Sequence, residues 1–292
     1  MSRSSSEAGD WFAQSFDDHY ARIYEYKDDT ALAEVSQMLR YLHLRRKPLG
    51  SPQRILDLAC GWGRHTVPLA LRGFNVTGVD FSDVMLRLAE RRASESGLQV
   101  RWLDAKGTPR HDGPPAAHAD GPSTKTLTLL QADMRSLPFR EDFDVVIDVF
   151  TSFGYFRDPD DNDAVLDAVY AALSPGGKFL LDIDNPQVFI DKGTGENTFN
   201  VARNGDQERV LRVEKYARVP DRRVVEYSFI DRPSDSREEI YLECKLYDRE
   251  EITALLARHN FSVEKKIWGD FAGTLFNQDT SPRLITIAVK PE

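Results

Sequence analysis

Asp57-Leu58-Ala59-Cys60-Gly61-Trp62-Gly63-Arg64-His65-Thr66 joins an apolar strand-like run at 54–59 (RILDLA) to a helix-like run at 63–71. Glycine at 61 and 63 lets the backbone turn sharply and lets a ligand approach with no Cβ in the way. A second strand-like run, 75–80 (NVTGVD), follows and ends on Asp80. A carboxylate roughly twenty residues beyond such a loop can accept hydrogen bonds from both hydroxyls of a ribose. A strand, a glycine turn, a helix and an acid at the end of the next strand are the start of a parallel sheet that binds a nucleoside.

The same alternation extends outward. Ser82 is placed to cap a helix running to residue 96, with Val84, Leu86 and Leu88 among its apolar positions. Residues 100–103 and 126–130 read as strand pieces and 143–150 (FDVVIDVF) as a buried strand. Residues 160–173 read as a helix and 177–183 (GKFLLDI) as another strand. Strands alternating with helices specify an α/β fold, doubly wound about a mostly parallel sheet. Ahead of it, 11–47 has a helical pattern, with Leu32, Val35, Met38, Leu39 and Leu42 on one face, until Pro48, Gly50 and Pro52 interrupt it. Residues 1–9 are polar and read as frayed.

Two segments break the pattern. Residues 104–125 (DAKGTPRHDGPPAAHADGPSTK) read as a disordered surface insertion, with a long hairpin tip as the alternative. Within 199–246 there are strand-like runs at 210–219, 224–231 and 239–246, divided by Pro220-Asp221 and Pro233-Ser234, which read as an inserted antiparallel sheet. Asp248 and Glu251 then form a capping box for a helix at 249–258, and strands follow at 261–267 and 284–290. The expected plan is an N-terminal helical cap (1–47), a nucleoside-binding core (48–190), an antiparallel β insertion (199–247) and a C-terminal return to the core (248–292).

Bulk properties narrow the function. The chain has 292 residues and a formal net charge of -9, which gives it no general attraction to phosphate backbones and disfavours nucleic acid as a partner. Cys60 and Cys244 lie far apart without metal-ligand spacing, which suits a reducing cytoplasm and gives no metal site. The opening MSRSSSEAGDWF has no apolar core of a secretory signal, and no run of about 18 apolar residues predicts a membrane span. A dinucleotide fingerprint needs Gly or Ala three residues after the second glycine, where this chain has Thr66. Asp57 beside the loop would repel a pyrophosphate but suits a cationic ligand.

Five motifs together, DLACGWGRH (57–65), VDFS (79–82), QADMRSLPF (131–139), FDVVIDVFTSFGYF (143–156) and LSPGGKFLLD (173–182), resemble the class I S-adenosylmethionine-dependent methyltransferases. The resemblance covers about 54–184 and resumes at GDFAG (269–273) and SPRLI (281–285), which look like the last strands of small-molecule members. It implies a Rossmann-like core with S-adenosyl-L-methionine as cofactor. It places Asp57, Ala59, Gly61 and Gly63 beneath the methionine part, Asp80 on the ribose and Phe81 against the adenine. Asp133 would accept the adenine amino group, and the Met134 N–H would meet a ring nitrogen. Phe150 would stand near the cofactor, and Tyr20 and Tyr24 would fold over the methionine end. The insertion at 104–125 departs from the family pattern and leaves the register of 100–103 open.

Methyl transfer is an in-line displacement at a carbon already activated by the sulfonium, so the protein must align the nucleophile and exclude water. A hydroxyl acceptor needs a base, for which His19, His65, Tyr155 and Asp184 are candidates. Tyr155 lies in the loop after the fourth strand, and Asp184 and Asn185 follow the fifth, where ligands bind. No Asn-Pro-Pro-Tyr-type motif follows the fourth strand, and neither cysteine stands where a cytosine-C5 enzyme needs its nucleophile. The resemblance implies a small-molecule acceptor, such as an amino sugar or another natural product, and a homodimer through the inserted sheet. The rival readings are a tRNA or rRNA methyltransferase, which the net charge disfavours, an NAD(P)-dependent oxidoreductase, and a binding module without turnover.

Overall fold

At the centre of the fold is β1 (Arg54–Leu58), whose Ile55, Leu56 and Leu58 are fully buried. It pairs in parallel with β2 (Asn75–Asp80) on one side and β5 (Phe143–Asp148) on the other. The computed structural model describes residues 16, 20, 28–44, 52–110, 125–192, 195–203, 206–217, 222–230 and 237–292. Beyond β2 lie β4 (Thr126–Gln131) and β3 (Gln99–Leu103). Beyond β5 lie β6 (Leu173–Asp184), β12 (Arg283–Val289) and β11 (Ser262–Val263). The eight-stranded order is β11-β12-β6-β5-β1-β2-β4-β3, parallel except where β12 runs against β6 and β11 against β12. The fold is therefore the expected α/β sheet, doubly wound and largely parallel.

Helices cover both faces. On one are α1 (Asp28–Tyr41), α2 (Thr66–Leu71) and α3 (Asp83–Glu95), packed over Ile55, Val76 and Ile147. On the other are α4 (Pro159–Ala172) and, following a short α5 (Pro186–Lys192), α6 (Arg249–Arg258), over Leu56, Val146 and Phe179. Local signals set the helix starts. The Ser82 hydroxyl accepts from Met85 N–H, Asp158 caps α4 with Pro159 behind it, and Asp248 and Glu251 form the expected capping box. The helix expected from Gly63 begins only at Thr66, because residues 61–65 are spent on the turn. In α1, Val35, Met38 and Leu42 are buried as the periodicity predicts, but Leu32 is 58% exposed, and the inward face uses Ala31 and Tyr41 instead.

A second sheet, β10-β9-β8-β7, is an antiparallel meander of β7 (Gly195–Arg203), β8 (Asp206–Ala217), β9 (Arg222–Ile230) and β10 (Arg237–Lys245). Its first strand has no counterpart among the runs read from the sequence. Val225, Tyr227, Ile240 and Leu242 pack with Tyr20 and Met85, which brings the sheet over the rim of the main fold.

Part of the segment expected to be disordered is ordered. Asp104 Oδ1 accepts from Lys106 and Thr108 N–H at 2.9 Å each, and Arg110 N–H returns to the Trp102 carbonyl. Because β3 pairs in parallel with β4 from Gln99↔Thr126 to Leu103↔Leu130, it is a separate edge strand. Residues 111–124 lie outside the described residues.

Candidate functional site

The loop after β1 floors a cleft at the C-terminal edge of the sheet, beside the β1/β5 pair from which the strand order runs in opposite directions. The cleft has about 980 Å³ of empty volume, its open mouth included. Ala59, Gly61 and Gly63 have φ of +53°, +54° and +76°, so three left-handed residues fold the loop. A Cβ on Gly61 would meet nothing within 4 Å, whereas one on Gly63 would lie 3.1 Å from Ala89 Cβ and 3.3 Å from Val67 Cγ2. The first glycine thus leaves a cradle open to a ligand, and the second lets the loop pack on α3.

Asp57, on β1, is buried and accepts from Thr66 Oγ1 at 2.6 Å. Burial pushes its carboxyl up to about 6, although the His65 charge and the Thr66 hydroxyl act in the opposite sense. Thr66 fits because Gly78 lies opposite it: a Cβ there would be 2.9 Å from Cys60 Sγ and 3.1 Å from Thr66 Cγ2. Asp80 binds the loop from β2, with Oδ2 accepting from Gly61 N–H at 2.8 Å and Oδ1 from Ser82 N–H at 2.9 Å. Burial raises its pKa against those backbone donors. Each carboxylate oxygen has two lone pairs, so one on each remains for a ligand hydroxyl.

Asp133 and Met134 also line the cleft, as does Phe81, 42% exposed. The Asp133 carboxylate is already held by Arg135: Oδ1 accepts from its N–H at 2.9 Å, and Oδ2 from Nη2 at 2.6 Å. Burial opposes ionisation there, but those hydrogen bonds outweigh it and hold Asp133 below the usual carboxylate range. Arg135 also lies 4.5 Å from the Phe156 ring centroid and reaches Asp161 at 3.0 Å.

Aromatic side chains form the remainder of the wall. Phe150 and Tyr155 line the cleft with Phe16, Tyr20 and Trp62. Phe16 meets Tyr20 edge-on at 4.8 Å and Tyr155 at 5.3 Å. Face electrons of such rings attract a cation. Tyr24 and His19 lie outside the described residues.

Two of the candidate bases already have close polar partners. His65 lines the cleft, but its Nε2 is hydrogen-bonded to Glu34 of α1 at 2.8 Å. Asp184 does not line the cleft; it is buried between Arg283 and Arg223, the latter at 2.7 Å. Both its partners come from distant strands, which the local sequence does not reveal. Tyr155 also lines the cleft, its ring edge-on to Phe16.

Sequence reasoning missed Phe16, Trp62 and Arg64 as cleft residues. Arg64 is buried, forms a fork with Glu34 at 2.5 and 2.8 Å, and stands 5.6 Å from the Phe150 ring centroid. Burial opposes ionisation of Glu34, but its bonds to His65 and Arg64 dominate and hold it far below the usual range. A carboxylate 30 residues earlier in the chain carries no local sign of that role. Beneath the cleft, Asp148 is buried with no hydrogen-bond partner for either oxygen among the described residues. Burial, then the charges of Asp182 and Asp57, push its pKa well up and favour the neutral form.

Residues 56–181, which carry this floor and all of the walls but Phe16 and Tyr20, match the family model described as a methyltransferase domain. These residues form a methyltransferase domain. The chain is 34% identical over 134 residues to the demethylmenaquinone methyltransferase of Thermus thermophilus, a match covering 45% of this chain and 47% of that one. The chain spans about half the length of the curated relatives it matches. A solved S-adenosylmethionine-dependent methyltransferase from Clostridium acetobutylicum superposes with a TM-score of 0.68 at 21% identity, covering 94% of this chain and 98% of that one. A sugar N-methyltransferase from a Streptoalloteichus species gives 0.65 at 21% identity, covering 100% and 99%. The methyltransferase domain thus keeps the class I fold, and the N-terminal helix and inserted sheet lie within the structurally matched length.

Proposed function

We propose that the cleft binds S-adenosyl-L-methionine and that the protein transfers the methyl group to a small-molecule acceptor. The observation that carries this reading is the open space over Gly61, where an added Cβ would meet no protein atom, flanked by Asp57 and Asp80 in a methyltransferase domain. Gly61 and Gly63 would lie under the methionine part, with Asp57 opposite its ammonium and Asp80 on the ribose hydroxyls. Phe81 and Met134 would flank the adenine, and Asp133, already gripped by Arg135, would share a lone pair with its amino group. When bound, the cofactor supplies a sulfonium-activated methyl carbon.

The chain's own work is alignment and exclusion of water. Phe150, Tyr20 and Trp62 line the cleft, where aromatic rings would attract a cation and displace water. The acceptor would take the methyl as the S–CH₃ bond broke, leaving a neutral thioether, and an acceptor that entered as a hydroxyl or ammonium would have to give up a proton. Tyr155 is the described side chain placed to receive or orient that proton; His65 and Asp184 are held elsewhere. An amine that enters neutral requires less of such a base.

The aromatic lining suits a compact acceptor such as a phenol, an amine or an amino sugar, and the sugar N-methyltransferase fold likeness supports that class. Cys60 and Cys244 are buried thiols, in keeping with the cytoplasm, and no helix among the described residues is long and apolar enough to cross a membrane. A homodimer through the inserted sheet completes the proposal. Calorimetry with S-adenosylhomocysteine and with NAD(P)H tests the cofactor. Tight dinucleotide binding without homocysteine-adduct binding would refute it. Radiolabelled methyl transfer to amines, phenols and amino sugars tests turnover.

A further inference from the structure

The turn leaving β5 adopts a conformation that side-chain-bearing residues avoid. Phe150 and Thr151 are consecutive non-glycine residues with φ of +70° and +61°. Such backbone persists only where surrounding contacts hold it, and such sites concentrate where function needs a fixed geometry. Phe150 forms part of the cleft wall, with Val149 and Ser152 beside it.

Within this turn the Ser152 hydroxyl donates to the Val149 carbonyl at 2.9 Å, and two further hydrogen bonds tie it to one residue of the next strand. Phe150 N–H donates to Asp182 Oδ2 at 2.9 Å, and Thr151 N–H donates to the Asp182 carbonyl at 3.1 Å. Asp182 is itself fixed. It is buried, and its Oδ1 accepts from Arg283 Nε at 2.7 Å. Arg283 also grips Asp184, whose other oxygen accepts from Arg223 of β9 at 2.7 Å. Asp182 does not line the cleft, so it acts through the turn and not on a ligand.

We infer that Asp182 is a positioning residue that holds Phe150–Thr151 left-handed so that the Phe150 ring forms the cofactor wall. The Arg283–Asp184–Arg223 chain keeps the Asp182 carboxylate aimed and ties that wall to the inserted sheet. The inference rests on the methyltransferase reading. A neutral amide cannot serve both neighbours: if its oxygen accepts from Phe150, its NH₂ faces the Arg283 donor. Glycine at 151 would remove the conformational cost at that position, and the buried Thr151 hydroxyl has no hydrogen-bond partner among the described residues to lose.

The test measures S-adenosylhomocysteine affinity by calorimetry well below the melting temperature, with amide hydrogen exchange at residues 150 and 151. Asp182→Asn is expected to weaken binding at least fivefold and to speed exchange at both amides at least tenfold. Adding Thr151→Gly is expected to recover at least half of the lost affinity on a logarithmic scale, a rescue that general destabilisation does not provide. Wild-type affinity in Asp182→Asn, or no rescue by Thr151→Gly, overturns the inference. Should Asp182→Asn fail to fold, Arg283→Gln, which frees the carboxylate but leaves the acceptor, must show the same loss and the same rescue, and the absence of either overturns it. Failure of the wild-type chain to bind S-adenosylhomocysteine would instead strike the methyltransferase reading, and the inference with it.

Discussion

Alanine at 61 and alanine at 63 make the same chemical change two residues apart, and the structure assigns them opposite consequences. Both positions are left-handed, so each alanine pays about 1–2 kcal/mol of backbone strain. At 63 the new methyl also meets Ala89 Cβ at 3.1 Å, Ala89 Cα at 3.3 Å and Val67 Cγ2 at 3.3 Å. Overpacking of that kind adds about 1–3 kcal/mol, so Gly63→Ala should lose roughly 2–5 kcal/mol of stability. At 61 the methyl meets no protein atom, so Gly61→Ala should lose only the strain, a fall of roughly 2–8 °C in melting temperature. Its methyl would instead stand where the ligand should lie. A methyl forced into a packed contact costs about 1–3 kcal/mol, or roughly a 5- to 150-fold weaker Kd. Differential scanning calorimetry and titration with S-adenosylhomocysteine separate the two effects. If Gly61→Ala bound the ligand as tightly as the wild type does, the cleft floor would be the wrong place for the cofactor.

Three further substitutions probe the carboxylates. Asp80→Ala leaves the Gly61 and Ser82 N–H groups without their acceptor and removes the proposed ribose contact, and should weaken S-adenosylhomocysteine binding by about 1–3 kcal/mol in a calorimetric titration. Asp57 titrates near 6 in the folded chain, above its ordinary 3.8, so its contribution to stability is full below about 4 and is lost as pH rises through about 6. The melting temperature of Asp57→Asn relative to wild type should therefore rise across that window. Wild-type affinity for the ammonium-bearing S-adenosylhomocysteine should tighten over the same range, a trend the variant lacks. Glu34→Gln strips the buried Arg64 and the His65 ring of their carboxylate and should cost about 1–3 kcal/mol after allowance for its partial exposure. Because the Glu34 pKa is depressed, that advantage of the wild type is full above its ordinary 4.5 and fades as pH falls, which thermal melts at pH 7 and pH 3 would reveal.

What could be read from the sequence was what neighbouring residues determine. The strand–glycine–helix unit at 54–71, Ser82 as a cap and the Asp248–Glu251 box all depend on groups within a few positions of each other, and each has its counterpart in the structure. Leu32 misled because helical spacing identifies a stripe but not its edge, and α1 turns its Ala31–Val35–Met38 line inward. The first strand of the inserted sheet, Gly195–Arg203, has an alternation too polar to separate from a loop. At the cleft, the residues misjudged are those whose partners are remote. Asp184 looked available at a strand end, yet Arg223 and Arg283 reach it from 39 and 99 positions away. Asp133 lines the cleft as expected, and its bonds to Arg135, two residues on, are a feature that the motif alone does not announce.

The pairing of Thr66 with Gly78 restricts what this cleft could become. A glycine at 66 would satisfy a dinucleotide fingerprint, but it would leave a hole against β2 where the threonine methyl now packs, and it would strip Asp57 of its hydroxyl donor. The stranded acid would then sit beneath any incoming pyrophosphate. Changing the cofactor of this scaffold therefore takes at least three coordinated replacements, at 57, 66 and 78, and intermediates carrying only one or two of them would be worse at both tasks.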